Sequence, residues 1–316
     1  MSLIKLKLTM LGTLALIIGV STLFFTFLLS LMGVGNLFAI MSLVILFNLV
    51  QWLIAPYIIN AMYHVQEIKE SEMPWLYSIT RRICEKARME MPKLMLAKIP
   101  IPNAFAYGSP LTGRMVAVTE GLIKELEEEE VEAVIGHELG HLKHRDVQIM
   151  MFASVLPAIF YYIGYSLMLS SWFNNRREAG QLFIIGAIAM AIYWILSLLV
   201  LALSRLREYY ADSFSVRYVT DGARKLSEAL AKIVLSSGKL VARGYDTKSV
   251  SAFKALFISD PDRVHDINVI YKASSDRALV EKVLSRPVTL TDRILELFST
   301  HPNIVKRLRA LQKFTS

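Results

Sequence analysis

Four stretches of the chain carry no charged residue: Leu8–Met32, Leu37–Ile59, Val147–Asn175 and Ala179–Ser204. Each is longer than the roughly 20 residues a helix needs to cross about 30 Å of hydrocarbon. Two very apolar hairpins inside a large soluble protein would be the competing explanation, but buried core helices rarely run so far without a charge. A cleaved signal peptide does not account for the first stretch either. Its apolar run exceeds the ~7–15 residues of a typical signal core, and a second run follows after only Gly33–Asn36. The pattern predicts two membrane hairpins.

Between and after them the periodicity changes. Trp75, Leu76, Ile79, Ile83 and Ala87 recur at helical spacing among Arg81, Arg82, Glu85, Lys86 and Arg88, and Pro92 ends the pattern. Short extended runs follow at Leu94–Ile99, Asn103–Tyr107 and Met115–Thr119, broken by Pro100, Pro102, Gly108, Pro110 and Gly113. They predict a small sheet with at least one edge strand. The acidic run Glu127–Glu130 suits the positive end of a helix dipole and predicts a helix through Val131–Asp146. The region after the last span reads as mostly helical, with helices over Ala223–Leu235 and Asn303–Lys313 around a charged, loop-rich stretch at Asp260–Asp276. The predicted organisation is a membrane hairpin over 1–59, a catalytic region over 60–146, a second hairpin over 147–204 and a helical region over 205–316 that completes the site.

Charge sets the expected orientation. Lys5, Lys7, Lys69, Lys143, Arg145, Arg205, Arg207 and Arg217 flank one side of the spans, against Arg176 and Arg177 beside Glu178 on the other. The positive-inside rule then places both termini and both polar regions in the cytoplasm, in contact with the lipid bilayer. The net charge of +8 fits basic inner flanks. No basic stripe with interleaved aromatics points to nucleic acid. Cys84 is the sole cysteine, which excludes an intramolecular disulfide and a cysteine-based zinc site.

The chemistry concentrates in His137-Glu138-Leu139-Gly140-His141. Residues four apart share a helical face, so both imidazoles can point at one metal ion. Glu138 sits about 100° round the helix, placed to take a proton from an attacking water and pass it to a leaving amine. Catalytic zinc sites use three protein ligands. His144 lies a further turn along, too far to close a tetrahedron easily, and the metzincin pattern fails because 144 is His and 147 is Val. Glu208 is the better candidate. His141 lies roughly 9 Å before the third span and Glu208 roughly 6 Å after the fourth, if both helices run on into their spans. Asp212, one turn beyond Glu208, is placed to accept a hydrogen bond from the far nitrogen of a ligating histidine.

Several runs together resemble the HtpX family of membrane zinc metalloproteases, with the CAAX prenyl proteases as more distant relatives. They are Pro102–Ala106, Val116–Leu122, His137–His141, Ser204–Asp212 and Ser299–Pro302, in order along the chain. The resemblance implies one Zn²⁺ held by His137, His141 and Glu208, with Asp212 behind the ligands. It implies His301 near the site, steadying the oxyanion, and Arg307 in the same closing motif. It also implies that Asn103, Ala104, Phe105 and Ala106 form an edge strand to which substrate adds. The activity implied is cleavage of misfolded or damaged membrane proteins at the cytoplasmic face. Asn303 stands where the family often has a second proline, and residues about 262–294 match nothing recognisable. The fold class expected is mainly α: four transmembrane helices plus a cytoplasmic α+β zincin-like domain with a small sheet. A protease cutting inside the bilayer is disfavoured because Glu132, Lys143, Arg145 and Asp146 surround the motif. A transporter or scaffold is disfavoured because the spans hold little beyond Asn48, Gln51 and hydroxyls.

Overall fold

A computed structural model describes residues 35–173, 179–242 and 275–314. The predicted first span, the Arg176–Arg177 loop and the whole of 243–274 lie outside the described residues. The fold is mainly helical with one small sheet. Its elements are α1 (Gly35–Met62), β1 (Gln66–Glu67), α2 (Pro74–Ala87), β2 (Lys93–Ala97), β3 (Ala104–Ser109), β4 (Gly113–Thr119) and α3 (Glu120–Glu125). Then follow α4 (Glu128–Lys143), α5 (Asp146–Phe173), α6 (Ala179–Tyr218), α7 (Gly222–Ala242), α8 (Asp276–Leu284), α9 (Leu290–Leu297) and α10 (Ile304–Gln312).

The sheet has strand order β1-β2-β4-β3, with β2 and β4 parallel and the other pairs antiparallel. Alternation along the strands divides its two faces. Leu94, Ala104, Val116 and Val118 join a core made with α2, α4 and α7, where Leu76, Ile83, Val131, Ile135 and Leu230 are also buried. Met95, Ala97, Phe105, Tyr107, Met115 and Ala117 face the other way, against Ile59 and Tyr63 at the end of α1. That end is also fastened by polar contacts: Tyr107 donates to Asn60 Oδ1 at 2.6 Å and Trp52 Nε1 to the Gly108 carbonyl at 3.2 Å. β3 is the open edge.

Among the described residues, Asp146–Trp172 and Ala179–Tyr218 are long and apolar enough to cross a membrane, and α1 occupies the second predicted span. α5 and α6 pack through Ile159, Phe160, Ile163, Leu167, Ala189 and Leu196. At 40 residues α6 is roughly 60 Å long, about twice the thickness of bilayer hydrocarbon. Its far half carries Glu208 and Asp212 into the polar unit. The expected continuity on the other side fails. α4 stops at Lys143, His144 caps it, and Arg145 turns left-handed at φ 56° before α5 begins at Asp146. The helix that carries the paired histidines is therefore jointed to the apolar helix α5, whereas α6 is continuous.

α4 opens with a capping box, Glu127 and Glu130 each accepting the other's backbone N–H. Glycines let it lie against α6. A Cβ on Gly140 would stand 3.0 Å from Phe214 Cβ and 3.1 Å from Ala211 Cα. Ser215 of α6 donates to the Ala133 carbonyl at 2.7 Å, fixing the register of the pair. Gly140→Ala should push the two helices apart and destabilise the protein by about 1–3 kcal/mol, read as a lower unfolding midpoint in detergent. An unchanged midpoint would mean the helices adjust without cost.

Candidate metal centre

The close approach of α4 to α6 brings three donors together. His137 Nε2 and His141 Nε2 are 3.0 Å apart. Glu208 Oε2 lies 3.6 Å from the first and Oε1 3.4 Å from the second. Bonds of roughly 2.0–2.1 Å to a tetrahedral ion put ligand atoms roughly 3.3 Å apart, so this donor set has the size and chemistry of a metal site. All three ligand atoms lie within 4.8 Å of one another. His144, the rejected third ligand, turns its ring onto Tyr210 instead, with centroids 3.8 Å apart.

A ligating histidine needs its other nitrogen engaged, which fixes both tautomer and ring orientation. His137 Nδ1 meets Asp212 Oδ1 at 2.9 Å, one helical turn beyond Glu208. Arg307 of α10 grips the same carboxylate with two nitrogens, at 2.7 and 2.6 Å, and its third lies 3.1 Å from Glu208 Oε2. His141 has a partner that sequence reasoning missed. Its Nδ1 lies 2.6 Å from Asp146 Oδ2, and Asp146 in turn pairs with the buried Arg207. The sequence offers Asp146 only as a charge beside the histidine motif and Arg207 only as a basic flank of a span. The signal available was their spacing, five residues past His141 and one before Glu208. Asp146→Asn should weaken metal affinity by about 10–100-fold in a chelator-competition titration; native affinity would reduce the contact to a structural one.

Glu138 points its carboxylate at the edge strand, where it accepts the Ala106 N–H, and burial pushes its carboxyl up to about 8. His137 is pulled down to about 4, first by burial and then by Arg307, which keeps the ring neutral and able to ligate. Burial also depresses His141, but the Glu208 carboxylate and then Glu138 outweigh it, leaving a net rise. His301 Nδ1 lies 3.2 Å from Glu208 Oε2, and its buried Nε2 makes no hydrogen bond among the described residues.

Phe105, Ala106, His137, Glu138, His141 and His301 share one cavity of about 280 Å³. Asn103 and Ala104 are buried and do not line it. Asn103 spends its main chain on Thr119, donating to Oγ1 at 2.9 Å and accepting from the amide at 3.0 Å. Of the expected substrate strand, only its second half reaches the cavity.

Residues 70–315 match the model of the family described as Peptidase family M48. The chain belongs to peptidase family M48. Among similar M48 proteins, the protease HtpX homolog of Thermoplasma acidophilum is 38% identical over 287 residues, 89% of this chain and 86% of that protein. The protease HtpX homolog 2 of Saccharolobus solfataricus is 36% identical, over 89% of this chain and 87% of its own. The solved structure of Ste24p from S. mikatae shares the fold with a TM-score of 0.55. It is 16% identical and the match covers 98% of this chain and 67% of that one. Membership of M48 makes the chain a metalloprotease and implies a metal, and the His-His-Glu cluster is a group that could hold one.

Proposed function

We propose that this M48 metalloprotease is a multi-pass membrane zinc endopeptidase that cuts misfolded or damaged membrane proteins at the cytoplasmic face. The observation that carries this reading is the facing of His137, His141 and Glu208 at 3.0–3.6 Å on the wall that Glu138 shares. Two imidazoles and a carboxylate suit zinc among the common divalent ions. His137, His141 and Glu208 would hold the ion, which when bound would supply Lewis-acid polarisation of the scissile carbonyl and a more acidic water.

The rest is work for the chain's own groups. Glu138, braced by the Ala106 N–H, takes a proton from the attacking water and delivers it to the leaving amine. His301 offers its Nε2 to the developing oxyanion. Asp212 and Asp146 hold the two ligating rings, and Arg307 fixes Asp212. Substrate adds as a strand along the outer edge of β3, beside the cavity that Phe105 and Ala106 line.

Membrane insertion through four spans is supported by the four uncharged stretches and by the length of α5 and α6. The basic flanks favour a cytoplasmic site, and the division at 59, 146 and 204 follows those spans. Regions 60–146 and 205–316 then form one catalytic unit. Stripping the metal from detergent-purified protein with a strong chelator should abolish hydrolysis of a casein-derived peptide. One equivalent of zinc should restore it. Full activity in metal-free protein would overturn the reading.

A further inference from the structure

Helix α9 wears its amphipathic pattern inside out. Its buried residue is Glu296, whose carboxylate accepts the Asn303 N–H at 2.9 Å and pairs with Lys306. Its outward face carries Leu290, Ile294 and Leu297, followed by Phe298, and these are 73, 50, 50 and 60% exposed. The four fall within roughly 100° of a helical wheel, the spacing that normally faces a core. Leu295 beside them is 52% exposed as well. A charge turned inward and a continuous apolar face turned outward suit an apolar surrounding.

The position of the helix identifies that surrounding. Arg205 is the first charge after the uncharged run Ala179–Ser204. Its Nη1 donates to the carbonyls of Leu297 at 3.3 Å and Ser299 at 2.7 Å. The end of α9 is thereby pinned at the level where α6 leaves its apolar run. We propose that α9 and Phe298 form an in-plane membrane-interface helix whose Leu290, Ile294, Leu297 and Phe298 side chains sit in lipid at the headgroup–acyl boundary. This rests on α5 and α6 spanning the bilayer. Helices of this kind bury their apolar face about 5–10 Å into that boundary, where Arg205 and the exposed Arg293 are within reach of lipid phosphates.

The placement bears on substrate entry. Thr300 and His301, just beyond Phe298, line the catalytic cavity together with Val147 and Met150 of α5 and Ser204 of α6. A lipid-seated α9 sets one wall of the cavity at bilayer height, so a segment leaving the membrane meets the site at once.

Cys84, the sole cysteine, is buried, so single cysteines can be spin-labelled in a Cys84→Ala background. Labels at Leu290→Cys, Ile294→Cys and Phe298→Cys would be compared with Ile184→Cys and Ile195→Cys on α6 and with Arg277→Cys on α8. The protein is reconstituted in phosphatidylcholine–phosphatidylglycerol vesicles, and collision with oxygen is measured against collision with a water-soluble nickel chelate. The α9 labels should resemble the α6 labels, with an oxygen-to-nickel ratio several-fold above that of Arg277→Cys. Lipid-like α6 labels with water-like α9 labels would overturn the α9 proposal alone. Water-like labels on α6 would overturn the span reading beneath it. Labels on α9 that meet neither reagent would show protein covering the face, which also overturns lipid as its occupant.

Discussion

Glu138→Gln leaves the metal bound and removes cleavage, by about 10²–10⁴-fold or more. The substitution keeps the shape of the side chain and an oxygen that can accept the Ala106 N–H, so the contact bracing Glu138 survives. Glu138 is not one of the three clustered donors. What it loses is a group that can take a proton from water and carry it to the leaving amine. Metal content by mass spectrometry and peptide hydrolysis on the same preparation separate the two properties. A variant that retains zinc and cuts at the wild-type rate would remove Glu138 from the mechanism. A variant that loses both would make it a metal ligand, against the geometry.

Glu208→Ala has the opposite signature, because it loses the metal itself. Removing the carboxylate takes away the donor 3.6 and 3.4 Å from the two imidazole nitrogens, and only His137 and His141 remain. The loss of affinity should exceed the roughly 10–100-fold that outer contacts such as Asp146 are worth. Arg307 keeps its two bonds to Asp212 after the substitution, so α10 stays docked and the fold survives. Circular dichroism and the unfolding midpoint of the metal-free proteins check that point. Native zinc affinity in Glu208→Ala would pass the third-ligand role to His301, whose Nδ1 lies 3.2 Å from the same carboxylate.

The pair Glu208 and Asp212 was legible because both sit on one helix, where a spacing of four fixes which side chains share a face. His137 and His141 were legible for the same reason. The strands around residues 94–119 were legible from alternation and from the prolines and glycines between them. Asp146 was not, because its contact with His141 lies across a left-handed turn at Arg145. No periodicity crosses such a joint. Of the substrate strand expected over Asn103–Ala106, Phe105 and Ala106 line the cavity while Asn103 and Ala104 are buried beside it. Helix α8 and the first part of α9 fall in the stretch about 262–294 that matched nothing, and the apolar face of α9 packs on no core among the described residues.

The sequence by itself determined which segments are apolar enough to enter a membrane, which helix carries the paired histidines and which carboxylates could complete them. These properties are local, set by side-chain chemistry and by periods of two and 3.6 residues. Only the tertiary structure decided which nitrogen faces which oxygen, that Asp146 rather than solvent holds His141, and that α9 turns its leucines outward. Those outcomes depend on the closeness of α4 and α6 at Gly140, on the break at Arg145 and on the grip of Arg205 on the end of α9. Each joins residues far apart along the chain, where packing and not spacing sets the distance.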